Sequence, residues 1–161
     1  MKQLSWPLLL ALAMVLGSPS SRAVDDSAPA DTPAKAASPL VAARAHLAGQ
    51  RWPAALDELR RVNAGGNADW NNLMGYALRK QASPDLDSAQ RHYEAALRID
   101  PRHRGAMEYL GELFLMKGDL ARAEQQLTAL GRQCLLPCEE FTDLKNAVAR
   151  FKANGNRFVP G

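Results

Sequence analysis

Three alanines stand one helix-length motif apart: Ala55, Ala89 and Ala123, each 34 residues from the last. Three residues before each is a large apolar side chain, Trp52, Leu86 or Leu120. Four after comes Leu59, Tyr93 or Leu127, and seven after comes Val62, Ala96 or Leu130. Positions −3, 0, +4 and +7 lie on one face of an α-helix. The same amphipathic helix therefore recurs three times, and a period of this length is the mark of a stacked repeat architecture.

A second helix precedes each copy. Met74-Gly75 and Leu110-Gly111 each set an aliphatic residue before a glycine, with Leu78 and Phe114 three residues beyond. Glycine inside a helix costs about 1 kcal/mol relative to alanine, so its presence calls for a packing reason. The spacing suggests Gly75 against Ala89, and Gly111 against Ala123, letting paired helices approach closely. Turns fall at Gly49-Gln50-Arg51, at Ala82-Ser83-Pro84-Asp85 and at Lys117-Gly118-Asp119. Gly75 and Gly111 are 36 apart, so the second unit carries two extra residues in its inter-helix turn. Ile99-Asp100-Pro101 stops the middle unit, because proline disfavours helix in the residue before it.

These residues resemble the tetratricopeptide repeat, over most of the chain beyond its leader. Asn71 to Pro101 is the best copy, and His103 to Leu130 is nearly as good. The first unit is degenerate, with Ala43 in place of the glycine and His46 in place of the aromatic. Trp70 lies one residue too early for the family's tryptophan, whose place Asn71 takes, and the third unit lacks the terminating proline. The resemblance implies an all-α solenoid of about three helical hairpins. Glu139 to Lys152, with Phe141, Leu144, Val148 and Phe151 on one stripe, reads as the capping helix that solenoids need.

The ends complete the domain plan. Met1 to Ala23 has a basic start, an apolar run from Leu4 to Leu16 and small residues at Ser21 and Ala23, the pattern of a secretory signal peptide. Residues 24–38 are Ala, Pro, Asp and Ser with one aliphatic side chain, too polar to repay the entropy of ordering, and read as a disordered linker. The repeat domain runs over 39–153, with units at about 40–66, 69–101 and 103–132 and the cap helix at 139–152. Residues 154–161 form a tail. A periplasmic or secreted location follows, with no membrane span once the signal is removed.

Charge excludes one class of partner. The chain has 20 Lys and Arg against 17 Asp and Glu; losing Lys2 and Arg22 with the signal leaves 18 against 17. A net charge of +1 has no one-signed field to attract phosphate, so no nucleic acid is expected.

Catalytic and cofactor motifs do not emerge. His46, His92 and His103 sit in three different repeat contexts: His46 at a core-facing position, His92 on a solvated helix face, and His103 in the loop after Pro101. No zinc helix motif, phosphate loop or nucleophile elbow is present in the sequence. Glu139-Glu140 are acids in a first helical turn, where the helix dipole favours them. The reading is a non-enzyme with neither cofactor nor metal, and its partner is another protein or peptide.

Two features could carry that role. In tetratricopeptide proteins the first helix of each hairpin lines a concave face, where partner peptides lie. Carried over residue by residue, that face here presents Arg44, Asn72, Tyr76, Arg79, Lys80, Glu108, Tyr109 and Glu112. The middle unit is basic and the third acidic, and Glu108 and Glu112 interrupt the basic set that the family's carboxylate clamp requires. The second feature is Cys134 and Cys138, flanking Pro137. An even cysteine count in an exported chain reads as a disulfide, here between one helix end and the next helix start. The alternative is a redox or copper-handling accessory that uses the same thiols as soft ligands.

Overall fold

The computed structural model describes residues 38–136 and 138–159. The residues read as a signal peptide, and nearly all of those read as a linker, fall outside the described residues, as does Pro137. Among the described residues there are seven α-helices and no strand: α1 Val41–Ala48, α2 Trp52–Val62, α3 Ala68–Lys80, α4 Leu86–Ile99, α5 Arg104–Met116, α6 Leu120–Gln133 and α7 Glu139–Ala153. They form three antiparallel hairpins, α1/α2, α3/α4 and α5/α6, followed by the lone α7. The first helices α1, α3 and α5 are successive neighbours in one layer, and α7 packs on α5 as the next member of that layer.

Local chemistry sets the helix ends. Asp85 and Asp119, 34 residues apart, cap α4 and α6, each accepting a backbone N–H three residues on at 2.9 Å. Asn67 caps α3 in the same way through the Trp70 N–H. Such caps contribute about 1 kcal/mol each by satisfying a donor that the helix leaves unpaired. Asp100 takes an extended conformation before Pro101 and ends α4, as that dipeptide requires. Between α5 and α6 the chain turns through Gly118 at φ 77°. The equivalent left-handed residue of the first hairpin is Gln50 at φ 55°, not Gly49, so the degenerate unit keeps the turn without the residue that suits it.

The core follows the repeat. Ala55, Ala89 and Ala123 are wholly buried, as are Leu59 and Tyr93. The two helical glycines do something other than face alanines. A Cβ at Gly75 would lie 2.7–3.0 Å from the Tyr93 ring, and one at Gly111 would lie 2.5–3.2 Å from Leu144 of α7. Gly75 thus makes room for a tyrosine one turn beyond Ala89. Gly111 makes room for the capping helix rather than for α6. In both places the missing side chain admits a bulky neighbour, which buries more apolar surface than a glycine–alanine contact would.

Trp70 and Asn71 divide the place that one tryptophan occupies in the family. The Trp70 indole is buried and donates its N–H to the Leu59 carbonyl at 2.8 Å, tying α3 to α2. Asn71 donates its amide to the carbonyls of Gly65 at 2.7 Å and Asn67 at 3.0 Å. Its Oδ1 is then left to accept from His92 Nδ1 at 3.1 Å, which assigns the ring proton to Nδ1. His92 is accordingly half-buried, with its ring edge-on to Trp70, and is not the solvated residue that its charged neighbours suggest. Burial, with Arg91 nearby, holds its pKa below the ordinary histidine value.

Candidate functional site

The inner layer of helices carries a cavity of about 570 Å³, within the size range of ligand sites. Gln50 and Trp52 bound it at the first hairpin turn, and Arg79 and Lys80 do so at the end of α3. Glu108, Glu112 and Met116 come from α5, Asp143, Asn146 and Arg150 from α7, and Phe158 from the tail. The helices run so that the ends of α3 and α5 converge beside the middle of α7, which turns five separate stretches of sequence into one lining.

Arg79 forms the floor. Its side chain is 96% buried and donates to Glu112 at 2.6 Å. The guanidinium lies 5.6 Å from the Tyr76 ring centre and 5.3 Å from that of Tyr109, within cation–π range of both. Tyr76 packs on Tyr109 at 4.8 Å and edge-on to Trp52 at 5.9 Å, so the aromatic wall is continuous. Arg79 also lies close to Tyr93, and Arg79 Nε and Tyr93 Oη are both buried with no hydrogen-bond partner among the described residues. Burial works against the Arg79 charge, but Tyr93 and Glu112 outweigh it and hold its pKa above the ordinary arginine value.

Glu108 is the exceptional carboxylate. It is 8% exposed and makes no hydrogen bond or ion pair among the described residues, although it borders the cavity. Burial, reinforced by Glu112, Asp143 and Glu140 and opposed by Arg79, pushes its pKa up to about 8. The Glu112 carboxylate is committed to Arg79, and Glu140 to Arg104 at 3.4 Å. Lys80 and Arg150 stand exposed at the rim, and neither forms an ion pair among the described residues.

The eight residues inferred for the groove do not share one site. Arg79, Lys80, Glu108 and Glu112 line the cavity, whereas Tyr76 and Tyr109 pack against the Arg79 guanidinium and are not part of the lining. Asn72 is buried, with Oδ1 lacking a protein partner, and lies outside the lining. Arg44 lies apart, held to Asp69 of α3 at 2.8 Å. Asp69 in turn meets Nε2 of His103 at 3.0 Å, while Nδ1 of the same ring caps α5 through the Ala106 N–H at 3.1 Å. These contacts give His103 a structural task at a helix start. The separate basic and acidic units are also not separate in space, because Arg79 and Glu112 pair across them.

Sequence reasoning missed the contribution of α7. Asp143, Asn146 and Arg150 border the cavity at spacings of three and four, beside the buried stripe of Leu144, Val148 and Phe151. That spacing was the available signal, hidden because a carry-over by repeat position ends with the third hairpin. Cys134 ends α6 and Cys138 begins α7, with Cα atoms 5.8 Å apart and sulfurs at disulfide distance. Leu135 and Leu136 between them are exposed. No helix among the described residues is long and apolar enough to cross a membrane.

Stacked antiparallel hairpins with a bordered inner face define a helical-repeat scaffold. Residues 81–133 match the family model of the tetratricopeptide repeat. The match supports a tetratricopeptide-repeat assignment for this part of the chain; proteins of that family serve as protein-interaction scaffolds and are typically non-enzymatic. No curated protein matches the sequence.

Proposed function

We propose that the protein is an exported interaction scaffold that takes a segment of a partner polypeptide into the inner-face cavity. The observation that carries this reading is the cavity itself, where Trp52 and charged groups from α3, α5 and α7 converge, Arg79 and Glu108 among them buried. Sites of this kind combine an apolar lining with a few fixed polar groups, and the latter set orientation. Asn146, exposed at the rim, gives a direct test. Asn146→Trp should block the opening and weaken partner capture by about tenfold, the scale of a lost hot-spot contact, with little change in melting temperature. Capture that is unchanged in this variant would place the partner elsewhere.

Export rests on the amino-terminal pattern. Protein recovered from the cell envelope should begin at Val24, after the small residues Ser21 and Ala23. Envelope protein whose first residue is Met1 would refute cleavage.

In that compartment Cys134 and Cys138 are oxidised and staple the repeat array to α7. On the chain-entropy relation a loop this short stabilises by about 2 kcal/mol. The exported protein should show no titratable thiol, and Cys134→Ser with Cys138→Ser should lose about 2 kcal/mol while still capturing its partner. Two free thiols in protein isolated without reductant would favour the redox or copper reading instead.

A further inference from the structure

The cavity holds an imbalance that its own residues do not correct. Glu108 is more than nine-tenths buried, faces the cavity and has no partner among the described residues. Buried carboxylates are ordinarily paired or hydrogen-bonded, and one left bare is costly. The charged and titratable groups around it come from three helices: Arg79 and Lys80 of α3, Tyr109 and Glu112 of α5, and Glu140, Asp143 and Arg150 of α7. Arg79 is committed to Glu112 and enclosed by two tyrosine rings, and Glu140 is committed to Arg104. Lys80 and Arg150 stay solvated at the rim. What remains unpartnered is the buried Glu108 carboxyl, with the exposed Asp143 beside it at the cavity border.

We propose that the cavity receives a lysine or arginine side chain of the partner segment, its charge set against Glu108 and Asp143 and its stem against Trp52. This rests on the preceding reading that a polypeptide segment occupies the inner face. A cation entering here supplies the missing partner of a desolvated carboxylate, where a charge-assisted hydrogen bond is stronger than at the surface. Trp52, at the cavity border, offers an aromatic ring that favours a guanidinium or ammonium over a neutral group. The bound cation also competes with a proton for Glu108, so binding tightens as pH rises toward 8.

The test is an NMR titration of the isotope-labelled full chain with the capped tripeptide Leu-Arg-Leu. Its neutral isostere, with citrulline for arginine, is the first control, and N-acetylarginine amide is the second. The arginine tripeptide should shift the Trp52 indole and the backbone of Glu108 and Asp143. It should bind about tenfold more tightly than the citrulline peptide, the effect expected of a desolvated charge pair. Glu108→Gln should erase most of that preference and its pH dependence, and Asp143→Asn, at an exposed position, should reduce the preference in a fold left intact. Equal binding of arginine and citrulline peptides at these residues would overturn the cationic preference while leaving the inner-face reading in place. Shifts confined to the outer helices α2, α4 and α6 would instead overturn the inner-face reading. Absence of binding overturns the proposal, and N-acetylarginine amide binding as tightly as the tripeptide would assign the site to a small cation and not to a chain.

Discussion

Tyr93→Ala should lower the stability of the fold by about 4 kcal/mol, the range found when a buried aromatic side chain is truncated. Tyr93 is wholly buried, and its ring fills the space over Gly75 between α3 and α4. Truncation removes the apolar surface and leaves a cavity that two helices joined by a short turn cannot close. The hydroxyl contributes little, because it has no hydrogen-bond partner among the described residues. Tyr93→Phe should therefore change stability by less than about 1 kcal/mol. Gly75→Ala probes the same contact from the other side. Helix propensity favours alanine by about 1 kcal/mol, whereas overpacking against a ring 2.7 Å away costs about 1–3 kcal/mol. The ring is rigid and enclosed, so overpacking wins and the variant should be destabilised. In the Tyr93→Ala background the ring is gone, and Gly75→Ala should turn favourable. Chemical denaturation of the four proteins in the cycle measures this coupling, and additive effects would show that the contact is wrongly identified.

Glu108→Gln should stabilise the protein at alkaline pH and leave it nearly unchanged at pH 5. The unfolded carboxyl titrates near 4.5 and the folded one at about 8. Between these values the native state holds a proton that the unfolded state releases. Wild-type stability is then full below about pH 4.5 and falls as pH rises through 8. Glutamine keeps the shape of the protonated acid and has no proton to lose. A shift of this size corresponds to several kcal/mol, and the water that reaches Glu108 through the cavity reduces it, so the gap at pH 9 should be about 2 kcal/mol. Melting curves at pH 5, 7 and 9 read it directly. A gap independent of pH would mean that Glu108 is ionised in the fold throughout.

The hairpins were legible because their determinants are local. Ala89 and Tyr93 lie four apart, Asp85 precedes its helix, and Pro101 terminates the same one. Each acts within a turn or two of chain, and the repetition in Ala55 and Ala123 supplies independent copies. The cavity depends instead on distances between helices. Arg79 and Glu112 pair across two hairpins, and only the stacking register decides whether their side chains meet or point apart. Glu108 looks like a solvated acid on its own helix; α7 on one side and Arg79 on the other bury it. Gly111 was readable as a close approach, but not as an approach to Leu144, since α7 arrives from outside the repeat. Trp70 escaped for a related reason, because its hydrogen bond runs to the previous hairpin.

The central claim is that the partner lies on the inner face, and site-specific photocrosslinking in living cells tests it most directly. A benzophenone side chain placed at Lys80 or Asn146, both exposed at the cavity rim, should give one adduct band with the same partner. The same group at Arg91 of α4 or Gln125 of α6, exposed on the second helices of their hairpins, should give none. Adducts from Arg91 or Gln125 with none from Lys80 and Asn146 would contradict the account.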